Sequence, residues 1–215
     1  MHHQVAPLIR AILFDCNGVI VDDEPVHLKL FQKVLAEEGI PLTTEDYFAK
    51  YLALDDRTCF YDVLKLHRRK VSPAIIKGLV RRKSAYYNKA IQKEARIFPG
   101  VKAFVAHHKK QFPMAVISGA LYHEIKWILN HAGIVDAFSV IVSSEHVTRG
   151  KPDPQCYKLG YHKMIHLPVF RKQKLLPSEC LAIEDSIHGV EAAQAAGMKC
   201  LAVTNSYSKS ELSHA

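Results

Sequence analysis

The first hydrophobic run, Ala11 to Phe14, contains no polar residue and stops at Asp15. Ile, Leu and Phe in succession predict a parallel strand buried on both faces. The stretch from Val5 to Phe14 reads as strand rather than as a signal segment, because no cationic region precedes it. Cys16-Asn17-Gly18 then forms a small-residue turn. Beyond Asp22 the period changes. Leu28, Phe31 and Leu35, with Leu30 and Val34 beside them, fall at helical spacing until Gly39 and Pro41 close the segment. Thr43 or Thr44 caps a second helix through Phe48, and Asp55 to Leu66 predicts a third. Ser72-Pro73 supplies the N-cap and first turn of a fourth helix, to about Gln92. No strand candidate interrupts this block.

Phe98-Pro99-Gly100 returns the chain to alternating units. Val101, Phe104 and Val105 mark a helix, and Pro113 to Ile117 a buried strand ending at Ser118-Gly119. Ile125, Ile128, Leu129 and Ala132 predict a helix closed by Gly133. Phe138 to Val142 is a strand, 154–165 a helix, and 168–177 a basic irregular segment. Cys180 to Ile183 is a strand ending at Glu184-Asp185. A helix over 187–196 closes at Gly197, and Lys199 to Val203 is the last strand. Strand alternating with helix predicts an α/β fold, a doubly wound parallel sheet. Its core is 1–22 and 97–215, with 23–96 as an inserted helical block. The tail from Ser206 is polar and is expected to fray.

Composition adds little to this. The chain has 215 residues, 48% hydrophobic and 23% charged, as ordinary soluble domains do. No apolar run reaches bilayer-spanning length, so no membrane partner is expected. Cys16, Cys59, Cys156, Cys180 and Cys200 are scattered, without CxxC spacing. That excludes a disulfide framework and a zinc site, and points to a reducing cytoplasm. The net charge of +8 is spread over separated clusters such as Arg68-Arg69-Lys70 and Arg81-Arg82-Lys83. No nucleic-acid motif accompanies them, so they read as solvated faces that modestly attract anionic metabolites.

The chemistry lies at strand ends. Asp15, Ser118 and Glu184-Asp185 each follow a strand, and Lys151 opens a helix in Gly150-Lys151-Pro152-Asp153-Pro154. In a parallel sheet those ends share one edge, where such folds bind ligands. A carboxylate nucleophile, a hydroxyl, a cation and an acidic pair suit phosphoryl transfer, which depends on positioning and charge neutralisation. Four motifs, Asp15-Cys16-Asn17-Gly18-Val19, Ile117-Ser118-Gly119, Gly150 to Pro154 and Ile183-Glu184-Asp185-Ser186, occur in that order with a helical insert after the first. In this the chain resembles the haloacid dehalogenase superfamily, specifically its capped phosphatases and phosphomutases of the β-phosphoglucomutase type.

The resemblance covers nearly the whole chain and implies a Rossmann-like core with a helical cap domain. It implies that Asp15 is the nucleophile, forming an aspartyl-phosphate, and that Mg²⁺ is held by Asp15, Asp185, Glu184 and the main-chain carbonyl of Asn17. Ser118 and main-chain N–H groups of Cys16, Asn17 and Gly119 would bind phosphate, with Lys151 offsetting its charge. Glu24 and His27 would face the crevice from the cap. Leu52 to Arg57 resembles the cap's specificity loop, with Ala53 where a glycine is common. Lys83, before Tyr86 and Tyr87, resembles the segment carrying a distal-phosphate lysine in the phosphomutases. The expected activity is hydrolysis of a small phosphorylated metabolite, a sugar phosphate, by a monomer. A phosphomutase and a non-catalytic phosphometabolite-binding module are the alternatives.

One position departs from the family. Most of its phosphatases carry aspartate two residues after the nucleophile, as acid and base, and here that position is Asn17. An amide cannot exchange that proton at neutral pH. Losing a positioned acid/base costs about 10²–10⁴-fold in rate. Three explanations stand: an engineered or accidental Asp→Asn change, a natural member with little turnover, or conversion of Asn17 to the acid.

Overall fold

The computed structural model describes residues 8–52 and 54–213. The expected strand start at Val5 and the loop residue Ala53 lie outside them. Five strands form the sheet: β1 (Ala11–Phe14), β4 (Met114–Ile117), β5 (Phe138–Val142), β6 (Cys180–Glu184) and β7 (Lys199–Ala202). Their order is β5-β4-β1-β6-β7, and every pairing is parallel. β1 is central, which is why its four residues are buried and apolar on both faces. Ala11 and Leu13 point to one side, packed with Ile117, Tyr157 and Met164 under α7 (Gln155–Ile165) and α8 (Ile187–Ala195). Ile12 and Phe14 point to the other, with Val105, Ile125 and Ile128 of α5 (Val101–His108) and α6 (Tyr122–Ala132). The fold is α/β with helices on both faces of a parallel sheet.

The helices α1 (Glu24–Glu37), α2 (Thr44–Lys50), α3 (Asp56–Leu66) and α4 (Pro73–Glu94) follow the apolar periodicity read above. Three of their N-caps use side-chain capping: Thr43 accepts from Asp46 N–H, Asp55 from Arg57 and Thr58 N–H, and Ser72 from Ile75 N–H. They bury a cluster of their own around Phe31, Val34, Leu35, Phe60, Val63 and Leu79. A smaller one, of Val26, Leu30, Tyr87 and Ile91, reaches Trp127 of α6. Among the described residues, no helix is long and apolar enough to cross a membrane.

Two expectations fail. The block before Phe98 does contain a strand, for β3 (Arg96–Ile97) pairs antiparallel with β2 (Val21–Asp22). Two residues per strand are too short to show any periodicity, and the ribbon arises because both ends of the helical block leave the sheet together. The tail from Ser206 does not fray as far as residue 213, where the described residues end. Ser208 caps α9 (Lys209–Leu212) in a capping box with Glu211, and Leu212 is buried. Tyr207 donates its hydroxyl to Leu52 O at 3.3 Å, Asn205 Nδ2 donates to Gly18 O at 2.7 Å, and Ser206 donates to Asp185. A polar tail is ordered here because its partners are polar groups of the strand-end loops.

Leu13 is fully buried at the centre of the sheet. Leu13→Ala is expected to lower unfolding free energy by about 2–5 kcal/mol, against less than about 0.5 kcal/mol for exposed Lys172→Ala. Urea denaturation of the two variants measures the difference.

Candidate active site

The sheet order brings the polar strand ends together. β1 lies between β4 and β6, so Asp15, Ser118 and the Glu184-Asp185 pair share one edge. Lys151 precedes α7 and reaches the same point. Its Nζ donates to Asp15 Oδ1 at 2.7 Å, to Glu184 Oε1 at 2.6 Å and to Ile117 O at 3.3 Å. Tyr157 adds a hydroxyl donor to Glu184 at 2.5 Å. Burial opposes the Lys151 charge, but Asp15 and Glu184 outweigh it and hold the ammonium well above the ordinary lysine range.

Asp15, Glu184 and Asp185 are all buried, and each offers an oxygen within 4.8 Å of the others. Burial raises Asp15 to about 7, with Lys151 pulling it down and Glu184 pushing it up. Burial likewise raises Asp185 to about 8, reinforced by the Asp15 charge and only partly relieved by the Ser206 hydrogen bond. Three carboxylates beside one ammonium are short of positive charge. An all-oxygen, under-neutralised donor set of this kind fits a hard divalent cation. The backbone leaves room only for glycine beside it. Gly18 has φ +76°, and a Cβ there would fall 1.9 Å from Asp185 Oδ2.

The turn after Asp15 folds back on itself, since Ile20 and Val21 N–H both donate to Cys16 O, at 2.8 and 3.1 Å. Asn17 lines the cavity. Its Nδ2 donates to Asp23 Oδ2 at 2.8 Å, and its Oδ1 accepts from Ser118 Oγ at 3.3 Å. Ser118 thereby touches the first motif rather than standing alone, and it also accepts from Ala120 N–H at 3.1 Å.

Asp23, which sequence reasoning did not single out, anchors a second polar cluster. It is fully buried, and its Oδ2 also accepts from Tyr87 and lies 3.2 Å from His27 Nε2. Burial works against its charge, but His27 and the hydrogen bonds from His27, Tyr87 and Asn17 prevail and keep it below the usual carboxylate range. On the other side of the ring, Lys83 Nζ is 2.7 Å from His27 Nδ1 and 2.5 Å from Asp56 Oδ1. An ammonium so close assigns Nδ1 as acceptor and Nε2–H as donor to Asp23. Lys83 is only 1% exposed and lies behind the cavity wall.

Glu24 and His27 line the cavity from α1, and Glu24 Oε1 accepts from the Tyr47 hydroxyl at 2.5 Å. Arg57 lines it from α3 and donates to Ser144 O at 3.0 Å, joining the helical block to the sheet loops. Asp55 sits against both motif glycines. A Cβ on Gly150 would meet its Oδ2 at 2.6 Å, and one on Gly119 its Cβ at 3.5 Å. The cavity is about 1030 Å³. Asp23, Asp55 and Tyr87 stood in sequence runs already noted, but nothing in the pattern marked Tyr157 or Ser206 as site residues, whose partners Glu184 and Asp185 are distant in the chain.

Comparison with known proteins agrees with this geometry. A family model described as haloacid dehalogenase-like hydrolase matches residues 12–203. The chain is 27% identical over 192 residues to the fructose-1-phosphate phosphatase YqaB of Escherichia coli (strain K12), covering 89% of this chain and 95% of that protein. It is 27% identical over 204 residues to the phosphoglycolate phosphatase of Yersinia pestis, covering 94% and 84%. The crystal structure of CbbY from Rhodobacter sphaeroides, in complex with phosphate, superposes with a TM-score of 0.76 at 24% identity, over 90% of this chain and 85% of that one, and shows the same fold. With its carboxylates, serine and lysine gathered at one sheet edge below a helical insert, the chain belongs to the haloacid dehalogenase-like hydrolases.

Proposed function

We propose that the chain is a Mg²⁺-dependent phosphatase of small phosphorylated metabolites, working through Asp15. The observation that carries this is the convergence of Asp15, Lys151, Glu184 and Asp185 at one buried point. The phosphatases among its relatives support the same reaction class.

Asp15, Asp185, Glu184 and the Asn17 carbonyl are the groups that would hold the metal. When bound, Mg²⁺ supplies positive charge against the phosphoryl oxygens and orients them. A free Asp15 carboxylate oxygen attacks phosphorus, a P–O bond to Asp15 forms, and the ester P–O bond breaks with its electron pair going to the leaving alcohol. Lys151 holds Asp15 in place and neutralises charge, and the Ser118 hydroxyl and Gly119 N–H are the donors assigned to the phosphoryl oxygens. Water then attacks phosphorus, releasing phosphate and restoring the Asp15 carboxylate. Both halves need a proton carrier near Asn17, and an amide does not serve. The helical block acts as a cap that closes the cavity, through Arg57 and Asp55.

Asn17 also favours a second reading, a phosphometabolite-binding module without turnover. Its Nδ2 donates to the buried Asp23 carboxylate, an interaction that an ionised carboxylate in place of the amide would turn into repulsion.

One outcome separates these readings, and a second tests the metal site they share. Asn17→Asp is expected to raise Mg²⁺-dependent release of phosphate from a generic phosphoester by about 10²–10⁴-fold, and Asp15→Ala in that background to remove it. A metabolite panel showing no turnover by Asn17→Asp establishes the binding module instead. The second concerns pH. Folding raises Asp15 and Asp185 from 3.8 to about 7 and about 8, so the metal-free native chain binds more protons than the unfolded one across that window. Their contribution to stability is present below pH 3.8 and is lost as pH rises through the folded values. Mg²⁺ needs the ionised carboxylates, so its stabilisation in thermal melts should grow from about pH 6 to about pH 8 and disappear in Asp185→Ala.

A further inference from the structure

The amide at position 17 supplies no proton carrier to the turn after Asp15, and the side chains that touch it are already committed. Asp23 is fully buried, and its Oδ2 meets donors from Asn17, Tyr87 and His27 at once. His27 gives its Nε2–H to Asp23, while its Nδ1 accepts from Lys83 at 2.7 Å. The Ser118 hydroxyl donates to Asn17 Oδ1 at 3.3 Å. Two further carboxylates of the cavity hold hydrogen bonds of their own. Glu24 accepts from the Tyr47 hydroxyl, and Glu124 from Ser84 Oγ at 2.7 Å and Leu121 N–H at 3.2 Å.

The nucleophile, by contrast, is unimpaired. Asp15 lines the cavity, and among the described side chains Lys151 alone donates to it, at Oδ1. Its second carboxylate oxygen is free of side-chain donors. The two halves of a transfer through Asp15 then depend differently on position 17. An alcohol leaves only with a proton, because an alkoxide is a strong base. A carboxylate, whose conjugate acid has a pKa of about 4, leaves without one. Water attacking the phosphorylated aspartate must lose a proton whatever the first donor was.

We propose that the chain as it stands accepts a phosphoryl group on Asp15 from acyl phosphates and retains it, so that its stable product is the phosphorylated chain. A P–O bond to Asp15 forms, the bond between phosphorus and the acyl oxygen breaks, and the electron pair leaves with the carboxylate. No proton moves. Asp15 phosphate is itself a mixed anhydride, so one acyl phosphate is exchanged for another and excess donor drives the transfer. This rests on Asp15 as the nucleophile proposed above, with Asn17 permitting the first half of that reaction and blocking the second.

Intact-mass spectrometry of the chain in Mg²⁺ tests this. Acetyl phosphate should add one phosphoryl group, located on Asp15 by peptide mass spectrometry and absent from Asp15→Ala. Ethyl phosphate, which must release an alkoxide, should label about 10²–10⁴-fold more slowly. Once acetyl phosphate is removed, the label should last as long as it does in the same chain unfolded in urea, and should decay about 10²–10⁴-fold faster in folded Asn17→Asp. The urea reference does not depend on the variant. Three results overturn the proposal alone, given Asp15-dependent hydrolysis of p-nitrophenyl phosphate by Asn17→Asp. They are no label on the unchanged chain, equal labelling by ethyl phosphate, and loss from the folded chain much faster than from the unfolded one. Equal labelling of Asp15→Ala, or no label on any protein with no turnover by Asn17→Asp, overturns the nucleophile reading and this proposal with it.

Discussion

The Lys151 ammonium shared between Asp15 and Glu184 is the interaction on which the site depends. Three carboxylates meet at the carboxyl edge of the sheet, and burial holds Asp15 and Asp185 above the usual carboxylate range even beside that cation. Lys151 compensates one charge directly and leaves the cluster short of positive charge. Much of the surrounding structure serves this contact. The parallel order β4-β1-β6 sets the distances, Tyr157 beneath α7 satisfies Glu184, and Gly18 lets the first turn approach Asp185.

A second polar chain runs from Asn17 through Asp23 and His27 to Lys83 and Asp56, linking the turn after Asp15 to α1, α3 and α4. It explains how an amide is accommodated at position 17. Asp23 is a buried carboxylate already held ionised, and the Asn17 N–H group gives it one more donor without adding charge. The same chain takes Lys83 out of reach of the cavity. A lysine that in sequence resembles a ligand for a distal phosphate is, in the fold, the counterion of Asp56.

Much of the site was legible because strand ends are legible. Asp15, Ser118 and Glu184-Asp185 each terminate a short apolar run, and a parallel sheet places such ends on one edge whatever the details of packing. The helices of the insert were legible from apolar spacing and caps. The β2–β3 ribbon was not, since two-residue strands carry no period, and neither was the ordering of Ser206 and Tyr207, whose partners are Asp185 and Leu52. Asp23 looked like one more acid in a run with Asp22 and Glu24, and only its burial separates it from them.

The amino-acid sequence by itself determined the alternation of strand and helix, the place of the helical insert, the identity of the strand-end acids and the amide at position 17. Those follow from local periodicity and from residue chemistry, which need no knowledge of distant partners. The tertiary structure decided which groups remain available. It pairs Lys151 with Asp15 and Glu184 across 136 and 33 residues of chain, and Lys83 with Asp56 and His27 across 27 and 56. Charge compensation and desolvation act through space, so two lysines alike in sequence end in different settings: one among the strand-end carboxylates, the other sealed behind the wall.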